Sequence, residues 1–584
     1  MRILLISSSY NSLTQRAHVE LTDAGHEVSI ELAISPEHMI SAVELFKPDL
    51  IIAPMLTKAI PKHIWSRYVC LIVHPGIMGD RGPSALDWAI MERPAEWGVT
   101  LLQAVEEMDA GDIWATHTFP MRDGSKGSIY RREVSNAAMA CIHEALEKFQ
   151  DPAFKPRPLD YSQPDVLGRE RPLTTQLDRY LDWSADTETV LRRIWSADGS
   201  PGVLEIFGQD AVYLYGAHRE SQLRGEPGQI LGQRDGAICI ATGDGAVWIT
   251  HAKQRINGRK GIKLPAATVL MEHLVDVPYL PVTDNGNPDH QTWQEIRYHE
   301  ADEVGYLHFD FYNGAMGTEQ CHRLRRAYTY ARSRPTKVIV LCGGEDFWSN
   351  GIHLNEIEAA RIPAEEAWAN IQAINDLVLE ILSTDSHWVI SSLGTNAGAG
   401  GVTLAMAADE VICREGVVLN PHYRTMGELY GSEYWTYLWP RRVGTEKAQA
   451  LWRDAMPVSG AQALDMGMID QVGPAALGEF NTAIREHAST LAKTSDLRQR
   501  LASKARQLHQ DQMTKPLSEY RREELQQMWQ NFFGADRQFH KARYDFVYKA
   551  KAQETPIRLA SHRSPNYENT QTSSNVVSLA QAKA

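Results

Sequence analysis

The first 120 residues alternate short β-rich runs with amphipathic stretches, from RILLIS at residues 2–7 to CLIVHPG at residues 70–76. This alternation is typical of βαβ units, in which parallel strands form one sheet with helices packed on its faces. The loop after the first run, SSSYNSLTQ, contains no glycine and cannot form the GxGxxG turn that holds a dinucleotide pyrophosphate. We therefore predict a Rossmann-like domain that does not bind a nicotinamide cofactor.

Two polar connectors follow, DPAFKPRPLDYSQPDVLGRER at residues 151–171 and PVTDNGNPDHQ at residues 281–291. Between them, β-rich runs separated by Asp-Gly and Gly-Asp-Gly turns predict a small β-barrel or sandwich, and we take an OB-like barrel as the expected fold. A single hydrophobic core stops growing near about 250 to 300 residues, so a chain of 584 residues requires several domains.

The predicted architecture is a multidomain α/β protein whose last residues are Ser-, Thr- and Asn-rich and lack any period. We predict a Rossmann-like domain at residues 1–160, a barrel at 161–278, a linker at 279–292, an α/β domain at 293–551 and a disordered tail at 552–584.

Composition argues against several classes of protein. The net charge of −14 argues against broad nucleic-acid binding, which needs a basic surface to neutralise phosphates. No apolar run approaches the roughly 20 residues that span a bilayer, and the start MRILLISSSY lacks the pattern of a secretory signal, so we expect a cytoplasmic protein. The cysteines form no CxxC pair or His-rich cluster, so we expect neither disulfides nor a bound metal.

A first candidate site combines a histidine and an aspartate. His74 ends the strand-like CLIVH and precedes Pro-Gly, and Asp109 falls in a turn between two further strand-like runs. A carboxylate beside an imidazole can fix its tautomer and raise its pKa, which produces a general acid and base near neutrality. By itself such a pair is more often structural than catalytic.

These residues resemble the signature of formyltransferases that use 10-formyltetrahydrofolate, through Val73-His74, DRGPSALDWA at residues 80–89 and MDAGDI at residues 108–113. The resemblance covers about the first 275 residues, including the small barrel that follows the catalytic domain in the methionyl-tRNA enzymes. It implies that His74 and Asp109 are catalytic. It also implies a folate pocket lined by Arg81, Gly82, Pro83 and Leu86.

One position departs from this family. The family has an Asn two residues before its His, where the amide polarises the formyl carbonyl, and this chain has Ile72. Loss of one such donor typically lowers a rate by about 10² to 10³. A thiol acceptor fits this loss, because a thiolate is more nucleophilic than an amine of similar basicity.

A second candidate site consists of two turns in the third region. The turn Ser349-Asn350-Gly351-Ile352 lies between a strand-like and a helix-like run, and GTNAGAGG at residues 394–401 enters a further helix. Two convergent backbone amides from such turns can form an oxyanion hole. Close helix packing would explain the glycines equally well.

Residues 290–550 resemble the enoyl-CoA hydratase/isomerase (crotonase) superfamily, through these turns, YNGAM at residues 312–316 and VGTEKAQALWRDAMPVSGAQALDMGMIDQV at residues 443–472. The resemblance implies oxyanion amides at Ile352 and Gly400. It also implies a CoA-thioester site that includes the remaining turn residues and a helix residue, namely Ser349, Asn350, Gly351, Gly401 and Thr403.

The catalytic glutamates of a hydratase are replaced in this chain. The first falls on Thr403, and the second falls near His422 and Tyr423, which we take as candidate proton acceptors. Ordinary alkene hydration therefore does not fit. For each aromatic or imidazole group, a role as pocket wall remains the plain alternative.

The fused arrangement from residue 1 to about residue 551 resembles the HoxX-type hydrogenase maturation proteins. That resemblance implies a formyl group passed from 10-formyltetrahydrofolate to CoA as formyl-CoA and broken down to carbon monoxide for nickel-iron hydrogenase. It implies folate and CoA as ligands and hydrogenase maturation proteins as partners. Two alternatives stay open: a formyltransferase for an amine with a separate acyl-CoA activity, and a non-enzymatic maturation scaffold.

Overall fold

A computed structural model describes residues 1–256, 258–282, 290–565 and 567. The chain forms two compact units, one of Met1–Asp178 with the segment from Lys551 onward and one of Arg179–Ala550. Both units combine helices and sheets, which confirms the predicted multidomain α/β class. Among the helices of these ranges, none is both long and apolar enough to cross a membrane.

A six-stranded sheet forms the centre of the first unit. Its strands are β1 (Arg2–Ser7), β2 (Glu27–Leu32), β3 (Leu50–Ala53), β4 (Cys70–His74), β5 (Glu96–Gln103) and β6 (Ile113–Pro120). Their spatial order is β2-β1-β3-β4-β5-β6, with the first four parallel and the last two antiparallel to their neighbours. The helices are α1 (Ser12–Asp23), α2 (Pro36–Phe46), α3 (Lys62–Trp65), α4 (Ala85–Glu92), α5 (Lys126–Ile129) and α6 (Ser135–Gln150).

The segment after residue 551 differs from the expected disordered tail in its first part. Leu559 O accepts a hydrogen bond from Ile30 N of the edge strand β2, over 2.9 Å. The buried carboxylate of Glu31 accepts hydrogen bonds from Thr555 and Arg563 and bonds the His562 ring. These polar residues are ordered because they form hydrogen bonds with the backbone of an edge strand and with a buried carboxylate. No local period in the sequence indicates such contacts. Residues 568–584 lie outside the described residues.

The proline-rich connector also packs against the first unit. Gly168 N donates to Met78 O over 2.9 Å, and Arg171 N donates to Arg81 O over 2.9 Å. The first unit therefore continues to Asp178, beyond the predicted boundary at residue 160.

The second unit begins with helix α7 (Thr187–Ala197) and an antiparallel β domain. Its strands are β7 (Val203–Phe207), β8 (Asp210–Glu220), β9 (Ile230–Arg234), β10 (Ala237–Ala241), β11 (Ala246–Ile256) and β12 (Arg259–Pro265). They pair in the order β7-β8-β11-β10-β9, with β12 on β11. Val190, Leu191 and Ile194 of α7 share a core with Leu214 and Ile249 of the sheet. Helix α8 (Ala266–Val269) follows.

The rest of the second unit is built on a further six-stranded sheet. The strands of this region are β13 (Ile296–Ala301), β14 (Val304–Phe309), β15 (Val338–Gly343), β16 (Trp388–Leu393), β17 (Ala397–Gly398), β18 (Glu410–Arg414), β19 (Val418–Asn420), β20 (Val458–Ser459) and β21 (Gln471–Gly473). The main sheet has the order β13-β14-β15-β16-β18-β21, and β17-β19-β20 form a smaller one.

Helices dominate the later part of this region, as predicted. They are α9 (Thr318–Arg332), α10 (Leu354–Ala359), α11 (Pro363–Leu382), α12 (Gly400–Met406), α13 (Trp435–Val443), α14 (Thr445–Asp454), α15 (Gly460–Met466), α16 (Leu477–Lys493), α17 (Leu497–Thr514), α18 (Leu517–Phe533) and α19 (Gln538–Val547).

Candidate functional sites

His74 lies at the carboxyl end of β4 with its ring buried. Its Nε2 atom lies 3.0 Å from Asp80 Oδ1, and its Nδ1 atom lies 3.7 Å from Asp109 Oδ1. A Cβ on Gly76 would lie 2.5 Å from Nε2, so only glycine lets the following turn pass over the ring. The imidazole is held between two carboxylates, which fix its orientation.

Asp109 occupies a turn in the left-handed region, with φ of 56°. Its Oδ2 atom accepts a hydrogen bond from Gly82 N over 3.3 Å. Gly82 has φ of 117°, and a Cβ there would lie 2.2 Å from Arg171 O. The backbone of this loop can therefore reach Asp109 only with glycine at position 82.

A cavity opens beside Asp109. It is lined by residues from two segments, 56–60 and 102–109, together with Trp65 and Ile72. Ile72 contributes an apolar side chain at the position where the formyltransferase resemblance places an amide. The cavity therefore extends from the edge of His74's strand to the predicted catalytic carboxylate.

The predicted folate-binding loop does not line this cavity. The Arg81 side chain pairs with Glu107 over 2.5 Å, Pro83 is exposed, and Leu86 is buried in α4. Arg81 contacts the cavity wall through Glu107, and Gly82 contacts Asp109 through its backbone amide. The loop folds back because the connector binds its backbone, a tertiary contact that the motif does not encode.

Asp80 is a partner of His74 that the spacing argument did not single out. Its carboxylate is 2% exposed, and its Oδ2 atom lies 3.4 Å from Arg171 Nε. Asp80 opens the DRGPSALDWA segment only six residues after His74, a proximity that could have identified it.

In the second unit, the two predicted glycine-containing turns lie side by side. Gly398 N donates to Ser349 O over 2.8 Å. A Cβ on Gly401 would lie 2.1 Å from Ser349 O, and one on Gly351 would lie 3.1 Å from Gly400 N. Glycine is needed at these positions because two backbones approach each other there.

The Ile352 and Gly400 amides are the predicted oxyanion donors. Within the described ranges, neither N–H donates a hydrogen bond to another protein group. Ala399, which precedes Gly400 in the second turn, has φ of 45°, a strained conformation for a residue with a side chain. Buried amides without an acceptor are rare in folded proteins, and a thioester carbonyl oxygen could serve as the acceptor for this pair.

A buried carboxylate that no sequence motif indicated, Glu433, lies against this pair. A Cβ on Gly400 would lie 2.3 Å from Glu433 Oε1. Tyr423 OH donates to Glu433 Oε2 over 2.8 Å, so the Thr403 hydroxyl donates in turn to Tyr423, also over 2.8 Å. Trp439 Nε1 donates to Thr403 Oγ1 over 3.1 Å. Thr403 thus supports Tyr423 and Glu433 through this chain of hydrogen bonds.

The electrostatics of this network set the protonation of Glu433. Burial raises the pKa of Glu433 to about 7; the Tyr423 hydrogen bond opposes the rise and the nearby Glu524 carboxylate adds to it. Burial, followed by the Glu433 charge, raises the pKa of Tyr423 well above its usual value, so Tyr423 stays a hydrogen-bond donor. A carboxyl group with a pKa near neutrality can accept a proton from a substrate at neutral pH.

Helices α11 and α18 hold Glu433 in place. Glu433 and Tyr434 have φ of 64° and 63°, which is unfavourable for residues with side chains. Asn375 Oδ1 of α11 accepts from Glu433 N over 2.7 Å, and Glu524 of α18 accepts from Tyr434 N over 2.9 Å and Thr436 N over 2.8 Å. The surrounding helices thus impose the backbone conformation that points a carboxylate at Gly400.

The other predicted residues surround the two turns. His422 Nδ1 donates to Asn420 O over 2.7 Å, and its Cε1 atom would lie 3.0 Å from a Cβ on Gly398. Asn350 Nδ2 donates to Asn313 O over 2.7 Å, and Ser349 Oγ accepts from Gly351 N over 3.2 Å. The polar groups of Ser349 and Asn350 therefore fix the turn.

The family's second glutamate position falls near residues 421–423, where this chain has no carboxylate, and Glu433 lies ten residues after Tyr423. The crotonase pattern assigns roles by position along the chain. Glu433 instead reaches Gly400 from a segment whose backbone angles are unfavourable. No local signal marks it, because its conformation depends on side chains of α11 and α18.

Three protein-family models match the chain. A formyl transferase model matches residues 11–146, a formyl transferase C-terminal domain model matches residues 174–264, and an enoyl-CoA hydratase/isomerase model matches residues 310–555. A methionyl-tRNA formyltransferase of Granulibacter bethesdensis is 27% identical over 214 residues, which cover 35% of this chain and 64% of that protein. These matches confirm the predicted pairing of formyltransferase and crotonase modules.

Two longer relatives match almost the whole chain. The hydrogenase maturation factor HoxX of Bradyrhizobium diazoefficiens is 46% identical over 565 residues, or 96% of this chain and 97% of that protein. The crystal structure of HypX from Aquifex aeolicus in complex with tetrahydrofolic acid has a TM-score of 0.93 and 46% identity, and it covers 97% of this chain and 99% of that one. The chain belongs to the HoxX/HypX family of hydrogenase maturation factors.

Proposed function

We propose that this protein is a cytoplasmic enzyme that makes carbon monoxide for assembly of the nickel-iron hydrogenase active site. It takes the formyl group of 10-formyltetrahydrofolate, passes it to CoA and decarbonylates the resulting formyl-CoA. The observation that carries the proposal is the Glu433 carboxylate against Gly400, beside two amides that have no protein acceptor in the described ranges. Membership of a hydrogenase maturation family and a relative in complex with tetrahydrofolic acid also support this proposal.

The first step belongs to His74 and Asp109 in the first unit. The CoA sulfur forms a bond to the formyl carbon, the folate C–N bond breaks, and the thiol proton passes through His74 to the folate nitrogen. Asp80 and Asp109 stabilise the imidazolium that forms while the proton is in transit. Ile72 supplies no hydrogen bond to the formyl oxygen, which favours a thiol over an amine as acceptor.

The second step belongs to the thioester site. Formyl-CoA has no α-carbon, so its only carbon-bound hydrogen is that of the formyl group. Glu433 takes this hydrogen as a proton while the C–S bond breaks with its electron pair going to sulfur, which gives carbon monoxide and a thiolate. The Ile352 and Gly400 amides limit charge on the oxygen during the step. Return of the proton from Glu433 to the thiolate restores CoA and the free base.

The decisive experiment supplies purified protein with 10-formyltetrahydrofolate and CoA and detects carbon monoxide by the spectrum of added deoxyhaemoglobin. A formyl group labelled with an isotope at carbon must place the label in the gas. Formyl transfer to an amine without gas would support the amine formyltransferase alternative, and absence of both reactions would support the scaffold.

A second arm starts from chemically prepared formyl-CoA and omits folate. Gas from formyl-CoA alone would assign decarbonylation to the thioester site. Gas from formyl-folate that requires CoA, together with no gas from formyl-CoA, would overturn the proposed order of steps.

A further inference from the structure

Tyr312, the first residue of the YNGAM segment, is held by residues of the antiparallel β domain. Its OH donates to Asp198 Oδ1 over 2.6 Å and accepts from Lys263 Nζ over 2.9 Å. The ring of His251 stacks on the Tyr312 ring, with centroids 4.3 Å apart. Asp198 follows α7, His251 belongs to β11 and Lys263 belongs to β12. The tyrosine is thus bound through its hydroxyl and one ring face.

The partners of Tyr312 are themselves fixed to the β domain. Asp198 Oδ2 accepts from Gly216 N over 2.8 Å, and Lys263 Nζ also donates to Gly199 O over 3.1 Å. The Lys263 ammonium lies 3.7 Å from the centroid of the Tyr215 ring. Charge-assisted hydrogen bonds and cation–π contacts of this kind are among the stronger polar contacts in proteins.

The segment after Tyr312 is bonded directly to the oxyanion turn. Asn350 N donates to Gly314 O and Asn350 Nδ2 donates to Asn313 O, each over 2.7 Å. Met316 N donates to Gly351 O over 2.8 Å. The residue that precedes Ile352 is therefore tied to a segment that the β domain holds.

Lys263 also reaches the other side of the turn. Its carbonyl oxygen accepts a hydrogen bond from Asn355 Nδ2 over 2.9 Å. Asn355 lies in the first turn of α10, which starts two residues after Ile352. The oxyanion turn is consequently bound to the β domain both before and after Ile352.

We propose that Asp198, Tyr312 and Lys263 are positioning residues that set the Ile352 amide against the thioester carbonyl. The proposal rests on the thioester function proposed above. It makes the β domain part of the framework of that site. An oxyanion donor contributes fully only at the correct distance and angle, and a small displacement costs rate more than affinity.

The test uses Tyr312→Phe, which removes both hydroxyl contacts and keeps the stacked ring. With formyl-CoA as substrate, we expect kcat for carbon monoxide release to fall about ten- to hundred-fold while KM changes less than about two-fold. Tyr330→Phe is the matched control, because Tyr330 is an exposed tyrosine of the same unit that does not contact either turn, and we expect wild-type values for it.

A binding measurement separates this inference from the proposed reaction. Acetyl-CoA labelled at the carbonyl is bound to the full chain, and the infrared C=O stretch reports how strongly the amides polarise the carbonyl. We expect a red shift in the wild-type protein that is smaller in Tyr312→Phe and in Lys263→Met. The double variant should be no worse than Tyr312→Phe alone, because that substitution already removes the hydroxyl that Lys263 contacts.

The outcomes are distinct. Folded variants with an unchanged C=O stretch and unchanged kcat would overturn the positioning role. A wild-type protein that makes no gas but polarises the carbonyl in a Tyr312-dependent manner would refute the proposed reaction and support this inference. Circular dichroism checks folding, and if Tyr312→Phe does not fold, Asn355→Ala tests the link on the other side of the turn by the same stretch.

Discussion

The sites of the two units depart from their family patterns in opposite ways. The first unit keeps the imidazole and carboxylate pair of His74 and Asp109 but has the apolar Ile72 where the pattern calls for an amide donor. The second unit keeps both amide donors but receives its carboxylate from Glu433, on a segment outside the motif. Under the proposed function, the missing amide donor requires a better nucleophile at the first site, and the different position of the carboxylate permits a different reaction at the second.

The largest expected effect is that of Glu433→Gln. Because the variant lacks the base in the thioester site, we expect carbon monoxide release from formyl-CoA to fall about 10³-fold or more, while folate turnover at the first unit continues. Gas detection with formyl-CoA and tetrahydrofolate detection with formyl-folate measure the two steps. Glu428→Gln, an exposed carboxylate nearby, is the control. Equal loss of both steps would remove the distinction between the sites.

His74→Ala should give the complementary result, with a loss of about 10² to 10⁴-fold in folate turnover. Decarbonylation of added formyl-CoA should be unchanged, because His74 lies in the first unit and the proposed thioester site lies in the second. The same two assays apply, with the exposed His63→Ala as control. A variant that loses activity with added formyl-CoA would contradict the assignment of separate steps.

Gly400→Ala should lower decarbonylation about 10² to 10³-fold, because a Cβ there would lie 2.3 Å from Glu433 Oε1 and must displace it. Gly478→Ala in α16 is the matched control, since a Cβ at that position meets nothing within 4 Å. Steady-state kinetics with formyl-CoA test both variants. Wild-type kinetics for Gly400→Ala would mean that the carboxylate does not act where the structure holds it.

The effect of pH on decarbonylation should be smaller than the effects of these substitutions. It should also distinguish the thioester site from the site of His74. Glu433 must be ionised to accept a proton, and its pKa is raised to about 7, so decarbonylation should rise with pH and level off above about 7. The rate should fall roughly tenfold per pH unit well below that value. A rate of gas release from formyl-CoA that stays flat across neutrality would count against Glu433 as the base.

The smallest expected effect concerns stability of the first unit. His562→Ala removes a buried partner of Glu31 and should lower the free energy of unfolding by about 1 to 3 kcal/mol. Burial raises the pKa of Glu31, but hydrogen bonds from His562, Arg563 and Thr555 outweigh it and lower the pKa overall. This stabilisation is therefore present above the unfolded value of about 4.3 and is lost as the pH falls. Thermal unfolding across pH measures it; no change in His562→Ala would show that the His562 contact with Glu31 does not stabilise the unit.

The sequence by itself determined the modules and indicated His74 and Asp109 as neighbours in the first site. Alternation of β-rich and amphipathic runs predicted the parallel sheet, since burial on both faces imposes that pattern locally. His74 at a strand end and the two glycine turns followed from residues adjacent in the chain. Glycine is required where two backbones approach closely, as at Gly351 and Gly401, so the glycines in the two turns were a signal in the sequence that the turns could meet.

Only the tertiary structure decided where Asp80 and Glu433 lie. It also decided that residues 555–563 are ordered. Asp80 reaches His74 because a loop folds back under the connector, and Glu433 reaches Gly400 because α11 and α18 impose an unfavourable backbone conformation. The contacts that place Glu433 join residues far apart in sequence, and their energies depend on burial. No periodicity or motif records them, so the carboxylate that we propose as the base of the thioester site could be found only in the folded chain.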